Sequence, residues 1–173
     1  ENNKYKIFYN SMKPYADILS ENEIRFKYIR NQYLENERYD ELMNNLIISA
    51  GKNINEFSKN VWMVDKDIKN LNENGHIVGL HSFRHPYVIS KLSYEEQKLE
   101  YTKNYNHIFN ITNNSIKSMS HPFNSYSKDT LSILSDMNIT CGFRSNLNNK
   151  DDYKLNKLEL PREDCANIIK LLN

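Results

Sequence analysis

The sequence predicts an α/β fold with a mostly parallel sheet, and three observations predict it. Short apolar runs alternate with helical patterns along the chain, which is the signature of βα units. The runs are stopped by Gly51 and Gly75 or opened by a capping residue such as Ser93. The most apolar of them, His76-Ile77-Val78-Gly79-Leu80, reads as a buried strand that delivers a histidine at its end. An open sheet and a closed or partly closed barrel both fit this order.

The elements follow in turn. Tyr5-Lys6-Ile7-Phe8-Tyr9 reads as a first strand, and Pro14 to Ser20 as a short helix with Pro14 in its first turn. Ile24-Arg25-Phe26-Lys27-Tyr28-Ile29 alternates apolar and charged residues, as a strand does. Leu42, Met43, Leu46 and Ile47 fall at helical spacing between Glu37 and Ala50. A further helix is expected from Val64 to Asn74, closed by Gly75. Ser93-Tyr94-Glu95-Glu96 is a capping box opening a helix that runs to about Phe109. Beyond it come a strand at Ile116 to Ser120, a helix at Asp129 to Met137 and a strand at Ile139 to Phe143. A polar loop at Asn146 to Asn156, a strand at Leu158 to Leu160 and a helix at Asp164 to Leu172 complete the chain.

Bulk properties exclude several classes. With 173 residues and no repeat, linker or composition break, residues 1–173 are expected to form one domain. The formal net charge is +1 and Lys and Glu are interspersed, against the basic face of a nucleic-acid binder. No apolar run is long enough for a transmembrane helix. The chain starts at Glu1 rather than Met, so a cut or processed N-terminus is expected. Cys141 and Cys165 are too far apart for a redox motif. Two reduced thiols suit the cytoplasm better than the cell envelope, which would require a removed N-terminal signal. Oligomeric state is not legible.

The chemistry concentrates in Gly75-His76-Ile77-Val78-Gly79-Leu80-His81-Ser82-Phe83-Arg84-His85-Pro86. A strand carries His81 to its C-terminal end, the rim where ligands bind in parallel α/β folds. His85 follows four residues on, and two neutral imidazoles suit zinc, nickel, cobalt or iron. A bare HxxxH is common, and two unrelated histidines are the plain alternative.

This stretch resembles the second motif of the polysaccharide deacetylases (carbohydrate esterase family four), written G-H-x-x-G-x-H-[ST]-x-x-H-P, and it matches every fixed position. Ser118-Met119-Ser120-His121-Pro122-Phe123-Asn124-Ser125-Tyr126 resembles the third motif, R-x-P-[YF]-G-x-[YF], with Pro122, Phe123 and Tyr126 matching. Ser120 stands in the place of Arg, and Asn124 in that of Gly; Asn accepts positive φ. Leu160-Pro161-Arg162-Glu163-Asp164 resembles the late L-P-R-x-D segment. The first motif, T-F-D-D-G, should then lie near Ile7-Phe8-Tyr9-Asn10-Ser11, and no late histidine follows His121.

The resemblance implies a distorted, incomplete (β/α) barrel and a metal-dependent deacetylase of an N- or O-acetylated sugar, with bacterial cell-surface polysaccharide as the expected substrate class. It implies a divalent metal, zinc first, on His81 and His85, with Asn10 in the third ligand position. Phe123 would supply an oxyanion-hole N–H. Arg162 and Asp164 would orient the base or substrate, although a surface ion pair and a helix cap are their ordinary alternatives. Tyr9, His121, Pro122 and Tyr126 would line the substrate site. Asn10 offers a metal its carbonyl oxygen without charge, and Tyr9, with a pKa of about 10, is a poor base. The alternative is a catalytically inactive deacetylase-like domain that binds a glycan or a partner protein.

Overall fold

The computed structural model describes residues 2–12, 19–34, 36–59, 61–145, 156–163 and 168. The chain divides into two compact units, Glu1–Trp62 and Met63–Asn173.

The first unit is helical: α1 (Asn2–Met12), α2 (Glu21–Gln32), α3 (Asn36–Ser49) and α4 (Ile54–Ser58). The strand expected at Tyr5–Tyr9 is part of α1, and the strand expected at Ile24–Ile29 is part of α2. Two local forces decide the second case. Ser20 and Glu23 form a capping box, the Ser20 N–H reaching Glu23 Oε2 at 2.7 Å. Ile24 and Tyr28, four residues apart, are then buried together on one helix face. Tyr28 packs edge-on against Tyr5 and Tyr33, with ring centroids 5.1 and 5.5 Å apart. Alternation over six residues is weaker than a cap combined with an i, i+4 aromatic anchor. The helix expected at Pro14–Ser20 falls largely outside the described residues.

The second unit keeps the expected order. It runs through α5 (Asp65–Glu73), α6 (Tyr94–Thr112), β1 (Ser118–Ser120), α7 (Lys128–Asp136) and β2 (Cys141–Phe143). Gly75, at φ +84°, releases the chain from α5 into the extended segment 76–80. The Ser93–Glu96 box opens α6, and Asn113, left-handed at φ 53°, ends it. β1 and β2 pair in parallel, Ser118 opposite Cys141 and Ser120 opposite Phe143. Single parallel bridges extend the sheet on both sides, Leu80 to Met119 and Leu160 to Phe143. The strand expected at Leu158–Leu160 is thus a 3-10 turn, Lys157–Glu159, with one bridging residue after it. The helix expected from Asp164 and the loop at 146–155 lie outside the described residues, apart from helical Ile168.

Helices α6 and α7 are the crossovers that parallel pairing demands. They cover one face of the sheet, where Tyr101, Ile108, Ile133 and Leu134 pack on Leu80 and Met119. The period of two then turns Gly79, His81, Ser118, Ser120, Cys141 and Phe143 to the other face, along a cleft of about 590 Å³. The described residues give an α/β unit with few, short strands. No helix among them is long and apolar enough to cross a membrane.

Close backbone approach fixes this short sheet. A Cβ on Gly142 would lie 2.5 Å from the Leu158 carbonyl oxygen, and one on Gly79 would lie 2.9 Å from that of Ser118. Neither obstacle is a flexible side chain. Gly142→Ala is therefore expected to destabilise the protein by about 1–3 kcal/mol, read as a lower urea midpoint. An unchanged midpoint would show that the Leu158 turn yields freely.

Candidate metal centre

The site is built on the end of the segment that leads to Leu80. Leu80 donates its N–H to Ser118 O and accepts from Ser120 N, both at 2.9 Å. The next residue, His81, therefore emerges at the sheet's C-terminal rim. Its Nδ1–H donates to the Ser120 carbonyl at 2.8 Å, which leaves the Nε2 lone pair facing outward. The chain then turns through Ser82 and His85, both left-handed at φ 62° and 55°. Ser82 Oγ accepts from the His85 N–H at 3.1 Å. The turn brings His85 Nε2 to 3.0 Å from His81 Nε2.

That spacing suits a shared cation. Metal–nitrogen bonds of about 2.0–2.1 Å place cis or tetrahedral nitrogens roughly 2.9–3.4 Å apart. The two imidazoles thus fit two ligand positions of a divalent metal. Among the described residues, no group of three or more His, Cys, Asp or Glu side chains is arranged to hold one.

The Pro122–Asn124 turn forms the neighbouring wall. Phe123 and Asn124 are left-handed at φ 50° and 58°, so Asn124 does adopt the conformation for which Gly is the usual residue. Asn124 Oδ1 accepts from Ser145 N at 3.1 Å, and Ser125 Oγ meets Ser90 Oγ at 2.9 Å. The Phe123 ring stands edge-on to His85, centroids 4.7 Å apart, and to Tyr87 at 4.8 Å. No hydrogen bond among the described residues uses the Phe123 N–H. Arg162 reaches in from the far side of the sheet, lining the cleft and donating to Ser120 Oγ at 3.3 Å. A guanidinium thus arrives beside the position where Ser120 replaces Arg.

His121 is 3% exposed and stacked on Tyr126, and its Nε2–H donates to Leu158 O at 2.7 Å. Pro122 is buried beneath the turn. His121 and Tyr126 brace the turn by packing on one another. Tyr9 and Asn10 lie exposed on α1 in the first unit, so the strand that was to carry the first motif is absent at that place. Asp164 lies outside the described residues. Sequence reasoning missed Glu100 and Asn104 of α6, which bond the backbone of the histidine turn. Their one sequence signal is polarity on the inward side of an amphipathic helix.

Against this geometry, comparison with known proteins is decisive for the family. The family model described as polysaccharide deacetylase matches residues 13–142. The chain belongs to the polysaccharide deacetylase family. The match begins beyond Tyr9 and Asn10. No curated protein sequence matches the chain. Solved structures similar to this deacetylase-family chain include the deacetylase PplD of Streptococcus pyogenes in complex with acetate. It is 19% identical at a TM-score of 0.54, over 64% of this chain and 51% of that one. The deacetylase domain of BpsB from Bordetella bronchiseptica is 13% identical at a TM-score of 0.50, over 59% and 48%. BA3943, a CE4 family pseudoenzyme from Bacillus anthracis, is 24% identical at a TM-score of 0.41, over 43% and 26%. The chain spans about half or less of the length of these proteins.

Burial holds the His121 pKa below the ordinary histidine value, against the opposing pull of the Leu158 carbonyl. A depressed folded pKa means that the unfolded chain takes up the proton first. The contribution of His121 is full above the unfolded value of about 6.5 and is lost as pH falls through the folded one. Thermal unfolding between pH 7.5 and 5 is expected to show a falling midpoint, and His121→Phe a flatter profile. Parallel profiles would assign the acid sensitivity to other groups.

Proposed function

We propose that this chain is a metal-dependent deacetylase acting on an N- or O-acetylated carbohydrate, its short sheet being one arc of a distorted, incomplete (β/α) barrel. The observation that carries the reading is the convergence of His81 and His85 Nε2 at 3.0 Å, with the His81 tautomer set by Ser120. Acetate in the PplD complex and the family membership support the substrate class.

His81 and His85 would hold the divalent cation, zinc first among candidates because both donors are neutral imidazoles. When bound, such an ion polarises a carbonyl and lowers the pKa of a water. The chain's own groups do the rest. The Ser120 carbonyl keeps His81 Nε2 unprotonated. The Phe123 N–H, which meets no acceptor among the described residues, offers a donor to negative charge developing on the acetyl oxygen. The Phe123 ring walls His85 on one side and is itself backed by Tyr87. Arg162 places a positive charge in the cleft, where it would orient a substrate oxygen.

A second reading is favoured by the chemistry of Tyr9 and Asn10, since neither brings the carboxylate that the first motif supplies. On that reading the chain is an inactive family member that binds an acetylated glycan.

Two measurements separate them. Zinc-loaded protein is expected to retain about one ion per chain, and acetate release from a panel of acetylated sugars to fall roughly a hundredfold or more in His81→Ala. Equal release by both proteins would overturn metal-assisted catalysis. Retained glycan binding without acetate release would establish the inactive reading.

A further inference from the structure

Helix α6 has a second use besides the core. Glu100 and Asn104 lie four residues apart, on the same helix face. Glu100 is 3% exposed, and its carboxylate accepts three hydrogen bonds. Oε2 takes the N–H groups of Phe83 at 3.1 Å and Arg84 at 2.8 Å, and Oε1 takes Arg84 Nε at 2.8 Å. Asn104 Oδ1 accepts the N–H of His81 at 2.9 Å. Three of the five amides from His81 to His85 are thereby fastened to one helix, and another, that of His85, is fastened to Ser82 Oγ.

This fastening matches a need of the turn. Ser82 and His85 both adopt the left-handed conformation that side chains disfavour, and neither is glycine or asparagine. An unsupported segment would relax out of it and separate the two rings. A buried carboxylate facing adjacent N–H groups makes strong, charge-assisted bonds that hold them in one orientation. Gln97, one turn earlier, provides the contrast. It accepts from Thr130 and donates to the Leu92 carbonyl, so it ties α6 to α7 and leaves the histidine turn untouched.

We infer that Glu100 and Asn104 are positioning residues that set the spacing of the His81 and His85 imidazoles by gripping the backbone between them. This rests on the reading of the pair as a metal site. The two residues act at one remove: neither touches the cation position, and both fix the groups that do.

The test compares Glu100→Gln, Asn104→Ala and Gln97→Met with the wild-type protein in two readouts. The first is a cobalt(II) titration followed by visible absorption. Glu100→Gln and Asn104→Ala are expected to bind about 10–100-fold more weakly with altered bands, as outer-sphere losses do. Gln97→Met is expected to lower the thermal midpoint and keep the wild-type affinity. The second readout needs no metal. In the neutral pair, the Nδ1–H of His81 leaves its Nε2 as acceptor, so His85 carries Nε2–H. Imidazole 15N spectra at pH 8.5 should show that single tautomer on each ring in the wild-type protein and mixed tautomers in the two positioning variants. If wild-type protein binds no cobalt, the metal reading fails and the ring spectra alone decide the positioning role. Wild-type affinity and wild-type tautomers in folded Asn104→Ala and Glu100→Gln would overturn the inference. Should Glu100→Gln fail to fold, Asn104→Ala, which removes a neutral and partly exposed group, decides it.

Discussion

The pairing of Leu80 with Met119 is the constraint from which the rest of the second unit follows. It is a single bridge, yet it fixes three things at once. It sets the parallel direction that calls for α6 as a crossover. It sets the alternation that sends Leu80 and Met119 into the core and Gly79 and His81 to the cleft. It also brings the Ser120 carbonyl to the His81 ring, so the tautomer of that histidine is a consequence of sheet register. A slip of one residue would turn His81 into the packing of α6 and expose Leu80.

How much of this was legible depends on how local the determining force is. The helices of the second unit were readable because their ends are written in residues: Gly75 after α5, and Ser93 with Glu96 at the start of α6. The geometry of the histidine motif was readable because a strand end and a four-residue spacing are local features, and the two Nε2 atoms do meet. The third-motif turn was readable in its shape, since Asn124 does sit left-handed. The first unit was misread at Tyr5–Tyr9 and Ile24–Ile29, where a short alternating pattern also fits a helix. There the Ser20–Glu23 box and the burial of Ile24 with Tyr28 outweigh the alternation. Glu100 and Asn104 were illegible for a different reason. Their partners lie 16 to 23 residues upstream, and no local pattern announces a bond over that distance.

The site shows the same division between what a residue is and where it is held. His121 has the side chain of a ligand or an acid catalyst, but burial and the Leu158 carbonyl make it a brace for the turn. Arg162, for which the sequence leaves a site role and a surface ion pair both open, lines the cleft and contacts Ser120. Phe123 combines two properties that rarely coincide, a left-handed backbone and a half-exposed aromatic ring. Both are intelligible if the turn presents an N–H and a wall to the same bound group.

The double use of α6 has a consequence for how this chain can vary. Tyr101 and Ile108 point into the core while Glu100 and Asn104 point at the histidine turn, so the rotational phase of one helix serves both. Each added or deleted residue turns the remainder of a helix by about 100°. An insertion inside the helix would therefore misalign either the packing or the grip, and no compensating substitution could restore both. The segment between Pro86 and Ser93 carries no such phase. Length changes in this region are expected to collect ahead of the capping box, leaving the interval from Ser93 to Ile108 constant in length even where its residues change.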